Sequence, residues 1–138
     1  MAAAGYSGTP LLKKLGIKPG AKLFLVNHPG NYFELLESNV TEQICKTVDN
    51  ADIIHLFVKN SKEFQSEMQK LFPAIRKNKN ITIWVSWYKK SAGIATDVTE
   101  DTIRNFALKN GLVDVKVCAV SEIRSGLKLL VPLKLRDK

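Results

Sequence analysis

The stretch VDVKVCAVSEIRSGLKLLVPL, Val113 to Leu133, decides the fold. It reads as two strands, Val113 to Val120 and Leu127 to Leu133, separated only by Ser121-Glu122-Ile123-Arg124-Ser125-Gly126. Parallel neighbours need a crossover of a dozen or more residues, so this short link predicts an antiparallel hairpin. The first of the two alternates, with Val113, Val115, Val117 and Ala119 on one face and Asp114, Lys116, Cys118 and Val120 on the other, which suits a strand near a sheet edge. Upstream, KLFLVN (Lys22 to Asn27), DIIHLFV (Asp52 to Val58) and ITIWVSW (Ile81 to Trp87) are near-continuous apolar runs, as expected of strands covered on both faces.

Helical periods fill the gaps between these strands. From Ser61 to Asn78 the residues Phe64, Met68, Leu71, Phe72 and Ile75 form one apolar stripe, with Pro73 expected to end or kink the helix near Phe72. From Thr99 to Lys109, Ile103, Phe106 and Ala107 share a face; Thr99 or Asp97 caps the start and Asn110-Gly111 stops it. A short helix is expected over Tyr32 to Glu37, and another over Leu11 to Leu15 with Thr9 as cap and Pro10 at the first helical position. Val40 to Val48 fits a helix or a strand, and a short edge strand is the reading adopted. Strands alternating with helices predict an α/β domain whose mainly parallel sheet is wrapped by helices and ends in the antiparallel β-hairpin.

The chain of 138 residues is expected to be a single domain, with residues 1–20 as an N-terminal arm and short helix. A hydrophobic share of 45% against 25% charged residues argues against disorder and for a packed core. No apolar run approaches the roughly 20 residues that cross a bilayer, and Met1 to Tyr6 lacks a basic region followed by an apolar stretch. Neither secretion nor a membrane role is expected, and the expected location is the cytoplasm. Cys45 and Cys118 lie far apart without Cys or His at ligand spacing, so both read as reduced, packed thiols and no metal or other cofactor is expected.

Net charge +8 points to an anionic partner: a small anionic ligand, or nucleic acid as an alternative. The densest basic cluster, Arg76-Lys77-Asn78-Lys79, falls at a helix C-terminus, where cations suit the dipole. Open α/β sheets hold ligands beyond the carboxyl ends of their strands. That rule selects Asn27 and His28 after the first strand, Lys59 after the second, and Ser86, Trp87, Tyr88, Lys89 and Lys90 at the third. Ser7 and Thr9, with Tyr6, join them if the Gly-rich arm folds over the crevice. Trp84 and Trp87 stand three apart and face opposite sides; Trp87, beside Tyr88 and two lysines, is the candidate for stacking on a base or sugar.

Catalytic signals are weak. Neither G-x-x-x-x-G-K-[ST] nor G-x-G-x-x-G is present, and His55 sits inside a strand as a core histidine in need of a hydrogen-bond partner. No nucleophile triad is readable from Ser7, Ser86 or Ser91, and Asp97, Glu100 and Asp101 read as helix-start carboxylates before they read as a metal or acid/base pair. A binding domain, for a small anion or a protein partner at the strand C-terminal ends, is therefore expected ahead of an enzyme.

The architecture resembles a Rossmann-type methyltransferase shortened by loss of middle elements, which implies a three-layer sandwich and, as the enzyme alternative, a reduced methyltransferase-like activity. Against that alternative, Pro29-Gly30 supplies one glycine after the first strand, and the next strand end has no clear acid unless Asp49 serves. In sequence, GYSGTPLLKKLG (Gly5 to Gly16), DIIHLFV, WVSWYKKSAG (Trp84 to Gly93), TDVTEDTIR (Thr96 to Arg104), GLVDVKVCAVSE (Gly111 to Glu122) and SGLKL (Ser125 to Leu129) together resemble an uncharacterised bacterial family, the domain of unknown function 3052. The resemblance implies no activity. That family tends to carry Pro at the position of Tyr88 and Trp at that of Arg124, so a site built from those two side chains is not part of what it implies.

Overall fold

The computed structural model describes residues 10–136. Five strands, β1 (Leu23–Val26), β2 (Ile53–Phe57), β3 (Thr82–Tyr88), β4 (Val113–Ala119) and β5 (Arg124–Leu130), form one sheet in the order β1-β2-β3-β5-β4. β1, β2 and β3 run parallel, while β5 is antiparallel to both β3 and β4. Four strands therefore point one way and only β5 runs back. The sequence places β5 three residues late, because Arg124-Ser125-Gly126 reads as turn. In the fold these residues pair with Tyr88, Trp87 and Ser86. The turn before them closes through Ser121, whose hydroxyl accepts from the Ile123 and Arg124 amides.

Gly126 lies inside β5 for want of space: a Cβ there would stand 3.0 Å from Val120 Cγ2 and 3.4 Å from the Trp84 ring. After β5 the chain does not stop but enters a short helix, α5 (Leu133–Arg136). β4 is the edge strand that its alternation indicates, but the alternation is broken between Asp114 and Lys116 by an irregularity in the pairing with β5. Beyond that bulge Val117 pairs with Leu127 and shares its face.

Helices cover both faces. α3 (Ser61–Lys77) and α4 (Glu100–Lys109) bury Phe64, Met68, Leu71, Ile75, Ile103 and Ala107 against Ile54, Leu56, Ile83, Val85, Leu127 and Leu129. On the other face α1 (Leu11–Lys14) and α2 (Tyr32–Leu36) pack Leu11, Tyr32 and Leu36 against Leu23, Ile53, Phe57 and Trp84. The Trp84 indole donates to the Leu15 carbonyl at 3.0 Å and pins the α1 end to the sheet.

Pro73 does not end α3. Ala74 and Ile75, buried just beyond it, hold the last turn in the core. Pro73 and Gln69 are both exposed, so water can serve the carbonyl that Pro73 leaves without a donor. Val40 to Val48 is not a strand either: two short 3₁₀ turns flank a single bridge of Ile44 to Leu23, and the Gln43 side chain ties the segment to the Lys18 and Ala21 carbonyls. Pro10, with ψ 145°, occupies the cap position of α1 rather than the first helical position, and Thr9 lies outside the described residues.

Candidate functional site

The parallel run of β1 to β3 brings their following loops to one end of the sheet. Because β5 runs back, its first residue, Arg124, arrives there too, opposite Tyr88. β1 ends at Asn27, whose φ of 56° reverses the chain, a conformation asparagine tolerates better than most residues. The exposed His28 that follows packs its ring edge-on to Tyr32, with centroids 5.8 Å apart. Tyr32 is buried at the start of α2, and its hydroxyl lies 2.8 Å from His55 Nδ1; His55 Nε2 lies 2.7 Å from Ser86 Oγ. Phe57 stacks on the His55 ring at 4.3 Å.

Above this aromatic layer the Arg124 guanidinium stands 5.4 Å from the Phe57 ring and 4.9 Å from the Tyr88 ring, with a long hydrogen bond of 3.4 Å to the Tyr88 hydroxyl. Arg124 is half-buried, and among the described residues no carboxylate pairs with it. Cation–π contact offsets part of its desolvation but supplies no hydrogen-bond acceptor at the guanidinium edge.

Burial sets the protonation of the layer below. Removal from water, with the nearby charges of His28 and Arg124 adding to it, pushes His55 from 6.5 down to about 3. Burial likewise pushes the Tyr32 hydroxyl well above its ordinary range. At neutral pH His55 is thus a neutral ring with both nitrogens bonded, the satisfied core histidine expected from its place in a strand. Ser86 is fully buried and has no path to a substrate, so the Ser86–His55 pair is not a nucleophile and its base.

The remaining expected site residues separate. Trp87 is only 7% exposed and packs in the core cluster under α3 and α4, so it offers no ring face for a base or sugar. Its parity opposite Trp84 holds, and it is buried in the same cluster as Val98 and Ile103 while Trp84 belongs to the other. Lys59 is exposed; its backbone amide donates to Glu63 Oε1 and its carbonyl accepts from the Thr96 hydroxyl. Lys89 is half-buried, with its amide donating to the Ile123 carbonyl, and Lys90 opens a short exposed turn, Lys90–Ala92. Tyr6, Ser7 and Thr9 lie outside the described residues.

The starts of α3 and α4 are already occupied by side chains of the protein. Asp97 does not cap α4: its carboxylate accepts from the Ser61 amide at 2.7 Å at the start of α3, where Asn60 also caps the Glu63 amide. A carboxylate of the protein itself holds the place an incoming phosphate would take. Thr99 caps α4 in a reciprocal pair with Thr102. After β1, Gly30 has no protein atom within 4 Å of a would-be Cβ, so the space beside it is open. Among the described residues no three His, Cys, Asp or Glu side chains converge as a metal site. Cys45 and Cys118 are free, half-buried thiols raised by burial.

The residues that sequence reasoning missed are Tyr32, Phe57 and Arg124. Arg124 could be found only by pairing Arg124-Ser125-Gly126 with the end of β3, which turn-like composition conceals.

No family model and no curated protein matches the chain. Among solved structures, a protein of the NADB-Rossmann superfamily from Streptococcus agalactiae superposes with a TM-score of 0.54, covering 89% of this chain and 68% of that one at 14% identity. The fold is Rossmann-like. At that identity the likeness shows the fold alone. Among the described residues no helix is long and apolar enough to cross a membrane.

Proposed function

We propose that the chain is a non-catalytic binding domain for a small anionic ligand, held at the strand C-terminal end with Arg124 as the principal contact. One observation carries the reading: a half-buried guanidinium laid over two aromatic rings, with no acid to neutralise it among the described residues. Arginine in such a place matches a carboxylate or phosphate in a two-pronged contact. The Tyr88 hydroxyl accepts from it, His28 packs on Tyr32 of the layer beneath, and Asn27, Lys59, Lys89 and Lys90 belong to the loops at the same end. The free thiols fit a reducing cytoplasm. Membership of the uncharacterised bacterial family is part of the proposal and brings no reaction with it.

A reduced methyltransferase-like enzyme is the second reading, favoured by the strand order, in which the antiparallel β5 lies between β3 and β4 as the closing hairpin of such a sheet. Against it, the loop after β1 carries a single glycine, Gly30. Nucleic-acid binding loses its stacking residue with Trp87 in the core.

A thermal-shift panel of inorganic phosphate, nucleotides, carboxylates and S-adenosylhomocysteine tests the first two readings on wild type and Arg124→Met. A ligand at 100 times its Kd stabilises by about 2.7 kcal/mol. The binding-domain reading requires that the response to a small anion vanish in Arg124→Met. An anion response that survives the substitution refutes the assignment, and a response to S-adenosylhomocysteine alone transfers it to the enzyme reading.

A further inference from the structure

A second cleft, of about 260 Å³, opens at the opposite end of the sheet, where α3 and α4 end and β5 leaves for α5. Phe72, Ile75, Leu112, Val131 and Leu135 give it an apolar lining, and Arg76 and Lys79 stand at its side. The Arg76 guanidinium lies 5.8 Å from the Phe72 ring, which holds its charge beside the apolar surface. Arg76 stands in the last turn of α3, at the negative end of that helix, and pairs with no acid among the described residues.

We propose that this cleft binds a short amphiphilic carboxylate, its hydrocarbon tail on Phe72, Ile75, Leu112, Val131 and Leu135 and its head group on Arg76. The volume lies just under the roughly 300–1,000 Å³ of drug-sized pockets, which selects a ligand of medium chain length. The site is separate from the Arg124 end: Leu112 precedes β4 and Val131 follows β5, both at the opposite ends of their strands. It stands or falls independently of the function proposed above.

The probes are octanoate and its uncharged counterpart octanol, titrated into the isotope-labelled full chain and followed by NMR. Octanoate is expected to shift the resonances of Leu112, Val131 and Leu135. Arg76→Gln, a change at an exposed position, is expected to weaken octanoate about five- to tenfold, as loss of a charge-assisted contact does, and to leave octanol unchanged. Arg124→Met is expected to alter neither titration. Absence of shifts at millimolar octanoate, shifts at His28 and Arg124 instead, or equal octanoate affinity in Arg76→Gln would each overturn the proposal.

Discussion

His55 makes the domain acid-sensitive below pH 6.5. Its folded pKa, about 3, lies below the ordinary 6.5 that the unfolded chain restores. Above pH 6.5 neither state binds the proton, and stability is independent of this group. As pH falls below 6.5 the unfolded chain takes up a proton that the folded chain refuses, so stability falls by up to about 1.4 kcal/mol per unit until pH nears 3. Between pH 7 and pH 5 the loss comes to about 2 kcal/mol, a large part of the roughly 5–15 kcal/mol that holds a domain together. His55→Gln keeps a polar side chain between Tyr32 and Ser86 but does not titrate. Urea unfolding at pH 7, 6 and 5 should show wild type losing about 2 kcal/mol and His55→Gln losing almost none. Parallel slopes in wild type and His55→Gln would show that the buried ring is not the titrating group and refute the reasoning.

Three further substitutions test the packing around the two ends of the sheet. Asp97→Ala removes the carboxylate from the Ser61 amide and should cost about 1–2 kcal/mol in denaturant unfolding; Asp97→Asn should recover part of it, and a neutral Asp97→Ala would mean that Asn60 alone caps α3. Gly126→Ala drives a Cβ to 3.0 Å from Val120 Cγ2, and a loss of about 1–3 kcal/mol is expected from the same measurement. Tyr32→Phe strips the partner from His55 Nδ1 in the core and should destabilise by about 1–3 kcal/mol at pH 7.

The sheet is legible in the sequence wherever burial on both faces writes itself as an unbroken apolar run. Lys22 to Asn27, Asp52 to Val58 and Ile81 to Trp87 each contain the observed strand to within a residue or so, as do the stripes of α3 and α4. Legibility fails where a residue's partner is distant in sequence. Asp97 stands two residues before the cap of α4, so local rules hand it to that helix, yet its carboxylate reaches back 36 positions to Ser61. Trp87 sits at a strand end, which composition reads as exposed; only its packing in the cluster with Val98 and Ile103 decides otherwise. The bulge in β4 leaves no mark in an alternating sequence, because a bulge shifts register without changing residue types.

Arg124 is the sharpest instance, and its energetics give the site its logic. A half-buried cation that faces aromatic rings and no acid has been desolvated without full compensation. The layer beneath cannot supply the missing charge: Tyr32, His55 and Ser86 bond to one another, His55 is neutral, and Tyr32 holds its proton. Compensation must then come from the open side. In the unliganded protein Arg124→Met should therefore leave the melting temperature unchanged or raise it, since a hydrophobic side chain of similar length suits Phe57 and Tyr88 without a desolvation cost. With the anion bound the order should invert, because only the guanidinium gains a partner. A structural role for Arg124 predicts the opposite in the unliganded state, a clear fall in melting temperature, so the sign of that one shift separates a packing residue from a binding residue before any ligand has been identified.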